Sequence, residues 1–99
     1  MAKYFLTNKA VQDLSNIWNY TRDNWSEEQA DKYCSFLLDV CQEVANNKQL
    51  AKKYDQITNN LLGIRANRHI IFFRSLSKNE IEVTRILHEK MDLDNRVKQ

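Results

Sequence analysis

Apolar and polar positions alternate along this chain with two periods, and the change of period divides it. From Ala10 onward the apolar residues recur at three- and four-residue steps. Ala10, Leu14, Ile17, Trp18, Thr21 and Trp25 form one stripe, with Gln12, Asp13, Asn16, Asn19 and Arg22 on the other side. Thr7 stands ahead of this stripe as an N-cap. Directly after Trp25, Ser26-Glu27-Glu28-Gln29 reads as a capping box with acids in the first turn, where they favour the helix dipole. Ala30, Tyr33, Cys34, Leu37, Cys41 and Val44 carry the helical period on to about Asn46. Phe36, Leu38 and Val40 lie partly outside that stripe, so this second helix is expected to bury more than one face. With almost no loop between them, the two helices predict an αα-hairpin.

The remaining apolar segments are short and rich in β-branched and aromatic residues. Residues 3–6 predict a first strand, 61–65 a second, 69–75 a third and 80–88 a fourth, with tight turns at Ala66-Asn67 and Ser77-Lys78-Asn79. Residues 47–60 are polar and irregular, and 92–97 are expected to form a last helical turn or an extended tail. Alternation places Ile81, Val83, Arg85 and Leu87 on one face of the fourth strand and Glu82, Thr84, Ile86 and His88 on the other. The order β-α-α-β-β-β predicts an α+β fold, a helical hairpin packed on one face of an antiparallel sheet, with the opposite face or rim open. Residues 1–99 fit one domain.

Composition narrows the chemistry. Hydrophobic residues make up 42% of the chain, enough for a small core, and the net charge of +2 is too slight to argue nucleic-acid binding from bulk charge. The only two cysteines, Cys34 and Cys41, are two helical turns apart, about 10.5 Å at 1.5 Å per residue, too far for a disulfide within one helix. No zinc-ligand spacing is present, so no metal and no cofactor are expected. No signal-peptide pattern and no apolar run of about 18 residues occurs, so the expectation is a cytoplasmic chain without a membrane partner.

Positive charge is concentrated late in the chain, while the front half carries most of the acids. Arg65, Arg68, Arg74 and Arg85 accompany His69 and His88, and the last strand runs directly into His88-Glu89-Lys90-Met91-Asp92. Arg74 and Arg85 are expected near a sheet rim, with their guanidinium groups reaching water or an anion. Three readings stand side by side. The cluster could cut RNA without metal, arginines stabilising the phosphate while His88 or Glu89 moves a proton. It could be a rim that meets an acidic protein partner. It could be a solvated strand edge, since basic residues commonly protect such edges.

The chain resembles the RelE/ParE superfamily of toxins, on the ParE side. The resemblance runs through Tyr4-Phe5-Leu6-Thr7, Ala10, Asp13, Leu14, Ile17-Trp18-Asn19-Tyr20-Thr21 and Trp25-Ser26, then Gly63-Ile64-Arg65 and His69-Ile70-Ile71-Phe72-Phe73-Arg74. It closes on Ile86-Leu87-His88-Glu89-Lys90-Met91-Asp92-Leu93, its most specific part. The resemblance implies the same α+β fold and a toxin of a type II toxin–antitoxin system. Such a toxin inhibits DNA gyrase by binding it, blocks replication, catalyses nothing and is held inactive by a ParD-like antitoxin in a hetero-oligomer. Direct DNA binding by the toxin alone is not expected. The gyrase-facing candidates are Arg74, Arg85, His88, Glu89, Lys90, Met91 and Asp92. The over-apolar second helix and Trp18 make Trp18, Tyr33, Phe36 and Leu37 the antitoxin-binding candidates. The RelE-like branch implies the alternative, a metal-independent, ribosome-dependent mRNA endonuclease using Arg65, Arg74, Arg85 and His88. Many mRNA-cleaving relatives use a Lys-rich sheet and an aromatic residue near the C-terminus, whereas no Tyr, Phe or Trp follows Phe73 here.

Overall fold

A computed structural model describes residues 2–98. Strand β1 (Lys3–Leu6) leads into helix α1 (Asn8–Asn24) through Thr7, whose extended backbone lets its Oγ1 accept the Ala10 N–H at 3.1 Å. The same hydroxyl donates to the Thr84 carbonyl at 2.9 Å, tying the start of the helix to the far end of the chain. Helix α2 (Glu27–Asn46) starts in the same way, with Ser26 Oγ accepting from the Gln29 N–H at 3.1 Å. A 3-10 turn (Lys48–Leu50) and a two-residue strand β2 (Lys52–Lys53) follow. Strands β3 (Leu62–Ala66), β4 (His69–Ser77) and β5 (Glu80–His88) and a short helix α3 (Leu93–Lys98) complete the chain. The α+β order, with a helical hairpin on a sheet, is the one the sequence predicts.

The sheet runs β1-β5-β4-β3-β2. It is mixed, because β1 pairs with β5 in parallel (Lys3 with Glu80 through Leu6 with Val83), while every other pair is antiparallel. The fifth strand and the parallel pair are additions to the four-stranded antiparallel expectation. The β3–β4 turn lies at Asn67-Arg68, one residue later than expected, and Asn67 takes a positive φ of 58°, which an asparagine tolerates well.

The helical hairpin covers one sheet face. Leu37, Val40, Cys41, Val44 and Ala45 of α2 and Ala10 of α1 pack on Ile71, Phe73, Ile81, Val83 and Ile86. A second cluster lies on the opposite face, where Leu61, Ile70, Phe72 and Leu87 are covered by Tyr54 and Ile57 and by Leu93 and Val97 of α3. That face was expected to be open, and the connection and the tail close half of it. Tyr54 reaches it by lying flat on Gly63, where a Cβ would stand 2.7 Å from the ring. Phe5 and Arg74 stay exposed beyond the covered half.

The two-residue alternation expected for β5 breaks at Thr84. Phe72 pairs with Arg85 but Phe73 pairs with Val83, so one residue of β5 is extra. The bulge turns Ile86 onto the same core as Ile81 and Val83 and sends Leu87 to the other face. Parallel pairing with β1 has stopped by then, so β5 is an edge from Thr84 onward.

Candidate functional site

The residues after that bulge form one wall of a groove of about 1330 Å³, with α1, the start of α2 and the β3–β4 turn as the others. Its floor is a salt bridge. Asp13, expected to face away from the core, is turned in from α1 and accepts from Arg85 Nε at 2.8 Å and Nη2 at 3.0 Å. Its Oδ2 also accepts the Ile86 N–H at 3.0 Å, taking the place of the missing strand partner. The two side chains are only 12% and 11% exposed, so the pair is nearly dry, and the Asp13 bonds raise the Arg85 pKa further. The third arm of the guanidinium, Nη1, donates to the Arg96 carbonyl at 2.6 Å. Arg85 therefore does not project from a rim toward water or an anion. Each of its three nitrogens makes a bond inside the molecule.

Above the salt bridge stand two histidines. His69 and His88 are register partners on β4 and β5, and their rings meet edge to face with centroids 5.3 Å apart. His69 Nδ1 lies 2.6 Å from the Tyr33 hydroxyl of α2. Burial, with His88 adding to it and Glu89 opposing it, lowers the His69 pKa from 6.5 to about 4, so the ring is neutral at pH 7. Burial likewise raises the Tyr33 hydroxyl. His88 Nδ1 accepts the Lys90 N–H at 3.1 Å.

The rim itself is a tight turn. The Glu89 N–H donates to the Arg68 carbonyl at 2.9 Å and the Met91 N–H to the His88 carbonyl at 3.0 Å. Glu89 pairs with Arg65 at 2.5 Å, and Asp92 accepts from the Asn95 side chain at 2.7 Å at the start of α3. Lys90, Met91 and Asp92 face solvent. Arg74 is five residues from His69 along β4, about 17 Å at 3.3 Å per residue, and is not part of this constellation.

The four cleavage candidates are thus not one set. Arg65 and His88 lie near the rim, Arg85 is locked to Asp13, and Arg74 stands at the other end of the sheet.

Among the helical candidates, Leu37 has no exposed surface and belongs to the core, so it is no docking anchor. Phe36 is exposed, with its ring 6.0 Å from that of Tyr33. Trp18 is half-buried, donates to Asp31 at 2.9 Å and carries Arg22 over its face. Trp25, expected to end the packed stripe, is 76% exposed and lines the groove with Tyr20. Sequence reading missed Asp13. The available signal was a carboxylate one turn from Ala10 and Ile17 on the buried side of the helix.

The model of one family, the ParE toxin of the type II toxin–antitoxin system parDE, matches residues 4–93. The chain belongs to that family. Toxin ParE1 of Mycobacterium tuberculosis (strain ATCC 25618 / H37Rv) is 31% identical over 93 residues, covering 94% of this chain and 95% of its own. Toxin ParE of Escherichia coli is 31% identical over 97 residues, covering 98% and 94%. Toxin ParE1 of Caulobacter vibrioides is 26% identical over 92 residues, covering 93% and 94%. Among solved structures, a chain of the chromosomal ParDE TA system from P. aeruginosa superposes with a TM-score of 0.75 at 18% identity, over 89% of this chain and 96% of that one. The fold of this ParE-family chain is therefore shared with that structure. No helix among its described residues is long and apolar enough to cross a membrane.

Proposed function

We propose that this chain inhibits DNA gyrase by protein–protein binding, without catalysis, and is neutralised by a ParD-like antitoxin. The observation that carries the reading is the ParE family match over residues 4–93, which includes the whole rim. The geometry supports binding over cleavage. Cleavage by the arginine cluster would require those guanidinium groups to converge on one phosphate. Here Arg85 is spent on Asp13, Arg65 pairs with Glu89 and Arg74 stands about 17 Å away along its strand.

The surface offered to gyrase is the solvent-facing turn His88, Glu89, Lys90, Met91 and Asp92, with Arg85 behind it and Arg74 outside it. Trp18, Tyr33 and Phe36 of the helical hairpin are offered to the antitoxin. A partner segment there would bury aromatic surface against the hairpin, and the P. aeruginosa neighbour comes from a ParDE system.

The test is gyrase supercoiling of relaxed plasmid, titrated with the purified chain and followed by detergent and protease. Lost supercoiling with accumulating linear DNA is the expected result. Unaffected gyrase would overturn the reading. One observation favours the second reading, ribosome-dependent mRNA cleavage: the two histidine rings in contact beside Arg68 in an open groove. Cleavage of mRNA on purified ribosomes, abolished by His88→Ala, would then replace the first.

A further inference from the structure

Groups of α1 and α3 converge on one side chain of β5, Arg85. Arg85 is held by Asp13 from α1 through two bonds, and it holds the Arg96 carbonyl of α3 through a third. Asp13 also accepts the Ile86 N–H at the point where β5 no longer pairs with β1. Helix α3 has six residues, too few to be helical by itself in water. Its own contacts with the body are modest: Leu93 and Val97, both half-buried, pack on the Leu87 and Phe72 cluster. Arg96 is in its last turn, where carbonyls have no helical partner and an arginine is a suitable donor.

The rim lies between two anchors. At its start, Glu89 is fixed to Arg68 and Arg65, and the Lys90 N–H to His88. At its end it runs into α3 through Asp92, whose carbonyl accepts the Arg96 N–H at 3.0 Å. If α3 leaves its seat, residues 90–92 keep only their first anchor.

We infer that Asp13 and Arg85 are positioning residues: the pair seats α3, and the seated α3 holds the 88–92 rim in the shape that meets gyrase. The inference rests on the function proposed above and gives Arg85 a different part in it. Arg85 acts through the rim and makes no contact with gyrase. A lysine cannot substitute, because one ammonium does not reproduce a planar fork aimed in three fixed directions.

Two measurements on the full chain test this. The first is the rate at which trypsin cuts after Arg96, whose carbonyl is the one Arg85 holds. The second is the concentration that half-inhibits gyrase. In Asp13→Asn and Arg85→Lys the cut is expected to be at least tenfold faster and the half-inhibiting concentration at least tenfold higher. Leu37→Ala weakens the core away from the pair. It is expected to leave the early cutting rate and the inhibition per folded molecule within twofold of the unmutated chain. A role that was merely structural would move this control together with the other two.

An unchanged cut after Arg96 in the two pair variants would overturn the seating. Full inhibition by Asp13→Asn alongside weak inhibition by Arg85→Lys would also overturn the inference, because the guanidinium would then act on gyrase itself. Should either variant fail to fold, Leu93→Ser loosens α3 with the pair intact. Fast cutting with lost inhibition supports the inference, and fast cutting with full inhibition overturns it. If the unmutated chain leaves gyrase untouched, the proposed function fails, while the cutting rates still decide whether the pair seats α3.

Discussion

Acid should weaken this fold through His69. The ring is depressed to about 4 by burial and by His88, whereas an unfolded chain takes up the proton near 6.5. Between those values the unfolded state binds the proton and the folded state does not. The stability that depends on a neutral His69 is therefore complete above about pH 6.5 and is lost as pH falls toward 4. At 1.36 kcal/mol per pH unit the whole interval is worth at most about 3.4 kcal/mol, of which about 2 is gone by about pH 5. One side of the ring opens onto the groove, so solvent screening reduces this to about 1 kcal/mol. The assay is thermal unfolding at about pH 7.5 and about pH 5, for the chain and for His69→Asn. Asparagine keeps a hydrogen-bonding partner near the Tyr33 hydroxyl and does not titrate. The comparison cancels whatever the carboxylates contribute, and His69→Asn should lose about 1 kcal/mol less, or about 4–8 °C in Tm for a chain of this size. Equal acid losses in both proteins would refute the reasoning.

Other expectations follow from single contacts. Leu37→Ala removes a fully buried side chain between α2 and the sheet and should cost about 2–5 kcal/mol in urea unfolding. Gly63→Ala forces a methyl against the Tyr54 ring and should cost about 1–3 kcal/mol in the unmutated background and much less in a Tyr54→Ala background. Trp18→Ala and Phe36→Ala should each weaken antitoxin binding by about 2 kcal/mol in calorimetry; unchanged affinity in both would remove the hairpin from the interface.

Local signals made much of the fold legible. Thr7 and Ser26 announced both long helices because a cap is chemistry between residues three apart, and it is found as read. Strands β3, β4 and β5 were readable from β-branched and aromatic runs. What escaped depends on partners distant in the chain. Strand β2 is two lysines with no pattern of their own, made a strand only by pairing with Leu62 and Gly63. The bulge at Thr84 reassigns Ile86 and Leu87 to opposite faces, and alternation has no term for an inserted residue. Asp13 looked like a solvated residue because its partners lie 72 and 73 positions later. For the same reason the sequence brought the arginines together as a basic cluster, whereas the fold divides them: Arg85 inward, Arg65 onto Glu89, Arg74 to the other end of its strand.

The parallel pairing of β1 with β5 has a consequence for biosynthesis. Lys3 finds its strand partner at Glu80, and the Thr7 hydroxyl finds its carbonyl acceptor at Thr84, each 77 residues later. The strand that closes the sheet beside β1 is also the last made of the strands among the described residues. Until it emerges, β1 has no neighbour, Asp13 has no arginine, and the helical hairpin lacks Ile81, Val83 and Ile86 beneath it. So large a sequence separation slows folding, since loop closure must come before the contacts that reward it. Chains cut short before β5 lack the strand that joins β1 to β4. A chain broken off before β5 is therefore left with β1 unpaired and the helical hairpin without its apolar seat.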